Sequence, residues 1–223
     1  MWRYPLATRI AIGIAAVAMF GFAAIVSSLP VVLPGKDVGS IAAVSVVGAI
    51  LFGFGVFMCF GLTAVVRTRI AVSADALEAV VPSGHDRLLV PHFRTIRVPL
   101  RDIRTVELRT EITSTFGVKN ERDALSITTA AGERIGLATD TVGSVSLPVD
   151  DIASAVAAAA GTVVTDDGTV LSNAPGLYGA ASSTWTEPAL GAADAARFRS
   201  IARATAQIAT ALLLFVFLLR ALL

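Results

Sequence analysis

The chain has 223 residues, 55% hydrophobic and 16% charged, with a formal net charge of +1 and a mean hydropathy of +0.74. An average soluble domain carries roughly 25% charged residues, so an ordinary soluble enzyme and a disordered chain are excluded. A disulfide scaffold is excluded by the single cysteine, Cys59, and the near-zero net charge offers no bulk attraction for nucleic acid.

The charges are unevenly placed. All but Arg3, Arg9, Lys36, Asp37 and Arg220 lie between Arg67 and Arg203. Residues 10–29 and 41–66 are free of charge and reach the ~20 apolar residues that a membrane-crossing helix needs. Pro30, Pro34, Gly35 and Gly39 break the chain between them, so residues 1–66 read as a transmembrane hairpin. A cleaved leader is the rival reading of the first segment, but its apolar run is too long and no clean A-x-A site follows it.

Arg3 and Arg9 precede the first span, and Arg67 and Arg69 follow the second. Basic flanks stay on the cytoplasmic side, so the amino terminus and the polar domain are expected there. In the second span Ser45, Ala49 and Gly53 form a small-residue stripe that lets helices approach closely. Packing against the first span is the favoured use, with homo-oligomerisation second.

From Arg69 the pattern changes to the two-residue alternation of half-buried strands. Ile70 and Val72, the run at Arg87–Val90, then Ile96, Val98 and Leu100 follow this rule in turn. Ile103, Val106 and Leu108 come next, followed by Leu125 and Ile127, a turn at Ala131-Gly132, and a return through Ile135 and Leu137. Pro148 then opens an amphipathic helix. Asp150 and Asp151 lie in its first turn, Ser146 is a candidate cap and Gly161 ends it. Short strands followed by one helix suit a curled sheet closed at one end.

The stretches IAVSADALEAVVP, RTIRVPLRDIRTVELR and ALSITTAAGERIGL, behind two spans, resemble bacterial pleckstrin-homology-like (PH-like) domains of membrane proteins. The resemblance covers residues 67–166. It implies a seven-stranded split β-barrel capped by a C-terminal helix, and it implies no enzyme and no cofactor.

Residues 167–196, rich in Gly, Ala, Ser and Thr, read as a linker. Within it Leu177, Tyr178 and Trp185 either dock on the domain or touch the bilayer interface. Residues 197–223 read as a juxtamembrane segment with Arg197, Arg199 and Arg203, leading into a third membrane helix over 204–219. A helix lying flat in the interface is the rival. If the segment spans, the carboxy terminus lies outside.

Candidate chemistry is sparse. His85 and His92 lack metal-ligand spacing, the Asp pairs at 150–151 and 166–167 suit a helix start and a turn, and no nucleophile or phosphate-loop motif is present. Arg94, Arg97, Arg101 and Arg104 are the one row with promise, either meeting anionic lipid headgroups or pairing with Asp102, Glu107 and Glu111 as a solvated face. The expectation is therefore a non-enzymatic membrane protein that presents a cytoplasmic domain to an unknown protein partner. Lipid-headgroup binding by the arginine row is the alternative.

Overall fold

The computed structural model describes residues 1–32, 38–115, 118–141, 147–172, 185–202, 204 and 207. A two-residue strand, β1 (Trp2–Arg3), precedes two long helices, α1 (Leu6–Val32) and α2 (Val38–Arg67). Their 27 and 30 residues correspond to about 40 and 45 Å at the standard rise. Both are long and apolar enough to cross a membrane. Ile14, Val17, Ile25, Ile50, Phe52 and Phe54 remain exposed on them, an extent of apolar surface that water does not tolerate on a monomer.

The two helices pack through a seam with two-turn spacing: Ala16 and Ala23 on α1, Gly48 and Gly55 on α2, all buried. A Cβ on Gly55 would stand 2.9 Å from the Phe20 ring, and one on Gly48 would stand 2.5 Å from Ser27 Oγ. Phe20 also meets Phe52 edge to face, with centroids 5.3 Å apart. The expected stripe lies beside this seam, with Ser45 and Ala49 bordering a groove against Phe20, Ala23 and Ser27 of α1. Ser45, Ala49 and Gly53 are exposed, and a Cβ on Gly53 would meet nothing within 4 Å. Rows at i, i+4 run obliquely to the helix axis, whereas the seam here follows the seven-residue repeat.

Beyond α2 come β2 (Arg69–Val72), β3 (Ala76–His85), β4 (Pro91–Pro99), a 3-10 turn (Leu100–Asp102), β5 (Ile103–Thr115), β6 (Val118–Thr129), β7 (Arg134–Thr141), α3 (Val149–Ala160) and β8 (Val164–Leu171). They form two four-stranded sheets, ordered β1-β2-β3-β4 and β7-β6-β5-β8. Among the described residues only β5 and β8 pair in parallel. Alternation decides what is buried. Leu77, Ala79 and Val81 of β3 share one core with Ile96, Val98, Val106, Leu125, Ile127 and Leu137, and with Val149, Ile152 and Val156 of α3.

β1 belongs to chain that precedes the helices, yet it pairs with β2, which follows them: Trp2 opposite Ile70 and Arg3 opposite Arg69. The two outer ends of the helix pair therefore lie together. α3 ends where expected, at Gly161 with φ 67°, whose N–H bonds back to Ala157 and Ala158 carbonyls. Such left-handed geometry suits glycine. Ser146 lies outside the described residues.

Two further expectations change. The apolar run Arg87–Val90 is a turn between β3 and β4, because Asp86 Oδ1 accepts from the N–H groups of Leu88 and Val90 at 2.8 and 3.0 Å. The linker reading of 167–196 fails at its start. β8 continues to Leu171 beside β5, with Asp166 Oδ1 accepting from Gly168 N–H at 2.8 Å and φ 75° at Gly168. The charged Asp-Asp-Gly bulge hides this strand from a hydrophobic pattern. Ala189 then bridges to Val170, and a helical segment starts at 192 and docks Arg199 on the domain. Of the expected third span, only residues 204 and 207 are described.

Candidate functional site

The arginine row does not converge. On β4, Ile96 and Val98 point inward and Arg97 outward, opposite Glu78, with Nε 3.5 Å from Oε1. Arg94 reaches the other way and donates to the Gly136 carbonyl at 3.4 Å. Arg101, on the 3-10 turn, lies 3.8 Å from Asp102. Arg104 opens β5 and is exposed. A headgroup site needs its cations on one face, and these four are spread over two faces and a turn.

What β4 does form is the wall of a cleft. It ends one sheet, and β7 ends the other. Among the described residues no strand pairs with the outer edge of either, so both present backbone N–H and C=O groups that lack a strand neighbour. Between β4 and the β6–β7 turn lies a cleft of about 550 Å³, lined by Arg94, Arg97, Val98, Asp102, Glu133 and Ile135 among others. Ala130 N–H donates to the Asp102 carbonyl at 2.7 Å and closes one end, and the Arg94 bond to Gly136 crosses the other. The floor is apolar and the rim carries both signs of charge.

The arginines expected to flank the membrane segments separate into two groups. Arg67 ends α2 and lies over the Phe93 ring, 5.2 Å from its centroid, and Arg69 opens β2 beside it. Arg199 is held by the domain instead, its Nε donating to Glu121 at 2.8 Å and its Nη2 to Thr169 at 2.8 Å. Arg197 is exposed, and Arg203 lies outside the described residues.

A buried ionic layer was not foreseen. Glu107, Arg109 and Glu111 occupy alternate positions of β5, on the face opposite the apolar core, yet all three are buried. Arg109 Nε donates to Glu111 Oε1 at 2.9 Å, and Arg122 Nε to Glu111 Oε2 at 2.8 Å. Glu187 accepts from Arg109 Nη1 at 3.1 Å, and Trp185 stacks on the same guanidinium. Glu107 is paired with Arg134, Nε to Oε2 2.9 Å, so three cations and three carboxylates balance, the condition for keeping such charges out of water. Alternating charge on β5 is visible in the sequence, but it reads as a solvated face unless its cover is known. The choice left open for Trp185 is settled in favour of the domain, while Leu177 and Tyr178 lie outside the described residues.

Two carboxyl groups are shifted in opposite senses. Burial raises Glu107, but bonds from Thr105, Arg134 and Thr128 and the Arg134 charge outweigh it and hold the carboxyl below its ordinary range. Burial pushes Asp123 up, reinforced by the Asp150 and Glu121 charges, against the bond from Thr110 and the charge of Arg199.

Among the described residues no group of three His, Cys, Asp or Glu side chains stands close enough to hold a metal ion. His85 Nδ1 is 2.9 Å from the Asp86 carbonyl, one residue away. Comparison with protein-family models, with curated proteins and with solved structures finds no match.

Proposed function

We propose that this chain is a non-enzymatic membrane protein whose PH-like split barrel serves as a protein-interaction module, with the β4–β7 cleft receiving an extended segment of its partner. The observation that carries this reading is the meeting of two open sheet edges at one cleft. Main-chain groups on β4 would supply the bonds of an added strand, and the apolar floor at Val98 and Ile135 would take alternate side chains. The two sheets sharing one core with α3 support the PH-like assignment. The helix pair supports membrane anchoring, and the basic flanks support a cytoplasmic domain in a bacterial inner membrane. The proposal extends to a third span over 204–219, which would place the carboxy terminus outside. The arginine row has less support as a lipid site, since Glu78 and Asp102 already neutralise two of its members.

The test is photo-crosslinking of the full chain in native membranes, with the reactive residue at Ala131 or Glu133 in the cleft and at Glu121 as control. A discrete protein adduct restricted to the two cleft positions is expected. Adducts of equal yield at Glu121, or lipid adducts alone, would refute the cleft.

A further inference from the structure

Where the helices leave the sheet, Arg3 and Arg69 stand directly opposite each other on neighbouring strands. Like charges so placed destabilise a sheet. Arg67, two residues before Arg69, joins them around a second cleft of about 580 Å³, with Phe93 and Thr95 on its far wall. All three arginines are exposed, and among the described residues none has a carboxylate within 4 Å. Glu78, further along β3, is engaged by Arg97. The partial negative charge at the end of α2 accounts for Arg67, but it leaves the Arg3–Arg69 pair uncompensated. In the first turn of α1, Arg9 Nε is buried without a hydrogen-bond partner among the described residues. It adds a further cation at the same end of the helix pair.

We infer that Arg3, Arg67 and Arg69 form a binding site for a phosphate group, with the headgroup of an anionic glycerophospholipid as its main source and free phosphate as the other. Guanidinium forks match phosphate oxygens in pairs, and an anion between Arg3 and Arg69 turns their repulsion into shared attraction. Arg67 is held in place by the Phe93 face. Val66, 50% exposed on the last turn of α2, gives the cleft an apolar lip towards the helix pair, where an acyl chain would continue. The lipid source rests on the helices crossing a bilayer, whereas the phosphate chemistry does not. This site lies on the outward face of β1 and β2 and shares only Thr95 with the lining of the β4–β7 cleft.

The full chain, purified in a neutral detergent, is titrated with short-chain phosphatidylglycerol, phosphatidylcholine of equal chain length, or inorganic phosphate, and bound ligand is counted by native mass spectrometry. Phosphatidylglycerol is expected to bind at least tenfold tighter than phosphatidylcholine. At about fivefold per arginine, R3Q with R69Q should weaken it roughly 25-fold. R97Q with R101Q should leave it unchanged. If the glutamine pair does not fold, R3K with R69K keeps the charge but loses the forks, and must weaken binding of the glycerol lipid while remaining selective. Phosphate binding as tight as the lipid's, and lost in the same variant, assigns the site to the soluble anion. Equal binding of the two lipids without phosphate binding, or selectivity that survives R3Q with R69Q, overturns the site. Either of those results leaves the cleft reading untouched, since crosslinking at Ala131 and Glu133 reports on that independently.

Discussion

Arg109 of β5 and Trp185 lie face to face, the guanidinium carbon 3.7 Å from the centre of the indole ring, although the chain runs through α3 and β8 between them. The same indole donates from Nε1 to Asp167 at 2.6 Å. One side chain thus ties the returning segment both to the buried ionic layer and to the bulge of β8. A desolvated cation–π contact contributes about 2 kcal/mol.

Trp185→Ala removes both contacts and should therefore lower the unfolding free energy of the full chain by about 3 kcal/mol. Trp185→Phe keeps a ring over Arg109 and forfeits the indole donor, a loss of about 1 kcal/mol. Denaturant titration in micelles reads both. Equal loss in the two variants would show that the ring face contributes nothing.

The shifted carboxyls give stability two opposite dependences on pH. Glu107 has its folded value lowered, so its ionised form stabilises the fold above the ordinary carboxylate range, and that contribution is lost as pH falls towards the lowered value. Asp123 has its folded value raised, so its ionised form costs stability at neutral pH, and the cost vanishes on acidification. Glu107→Gln should be less stable than the parent at pH 7 and Asp123→Asn more stable, with both differences closing towards pH 3. Melting curves from pH 3 to 8 on the three proteins make the comparison. Parallel curves would contradict both assignments.

The helix seam predicts which glycine matters. Gly55→Ala forces the whole Phe20 ring to move from a 2.9 Å approach, and overpacking of this kind costs about 1–3 kcal/mol. Gly53→Ala meets open space and should be neutral or slightly stabilising. The two variants are compared by thermal unfolding in the same detergent. Equal effects at positions 53 and 55 would place the seam elsewhere.

Much of this architecture is legible in the residues themselves. Charge-free runs mark the helices, period-two alternation at Ile96–Val98 and Leu125–Ile127 marks strands, and Ala131-Gly132 and Gly161 punctuate a hairpin and a helix end. What escapes is set by long-range contact. β8 carries Asp166, Asp167 and Gly168 in its middle, so its strand character comes from the β5 edge it joins. Glu107, Arg109 and Glu111 show the spacing of an exposed face and become buried only because the chain returns over them. The Arg3–Arg69 opposition depends on β1 reaching across both helices, and neither local pattern contains it. The seam at Gly48 and Gly55 rather than at Ser45, Ala49 and Gly53 depends on how one helix is turned towards the other.

The pairing of Trp2 with Ile70 has a consequence for biogenesis. β1 is synthesised first, but its neighbour emerges only after both helices have left the ribosome. The sheet can therefore assemble as β2-β3-β4 and be sealed by β1 last, when the helix hairpin has brought the chain back to its starting side. A molecule that inserts only one helix keeps its strand edge at β2 open, and open edges template aggregation. The β2 edge is thus covered only once both helices have brought the chain back beside it.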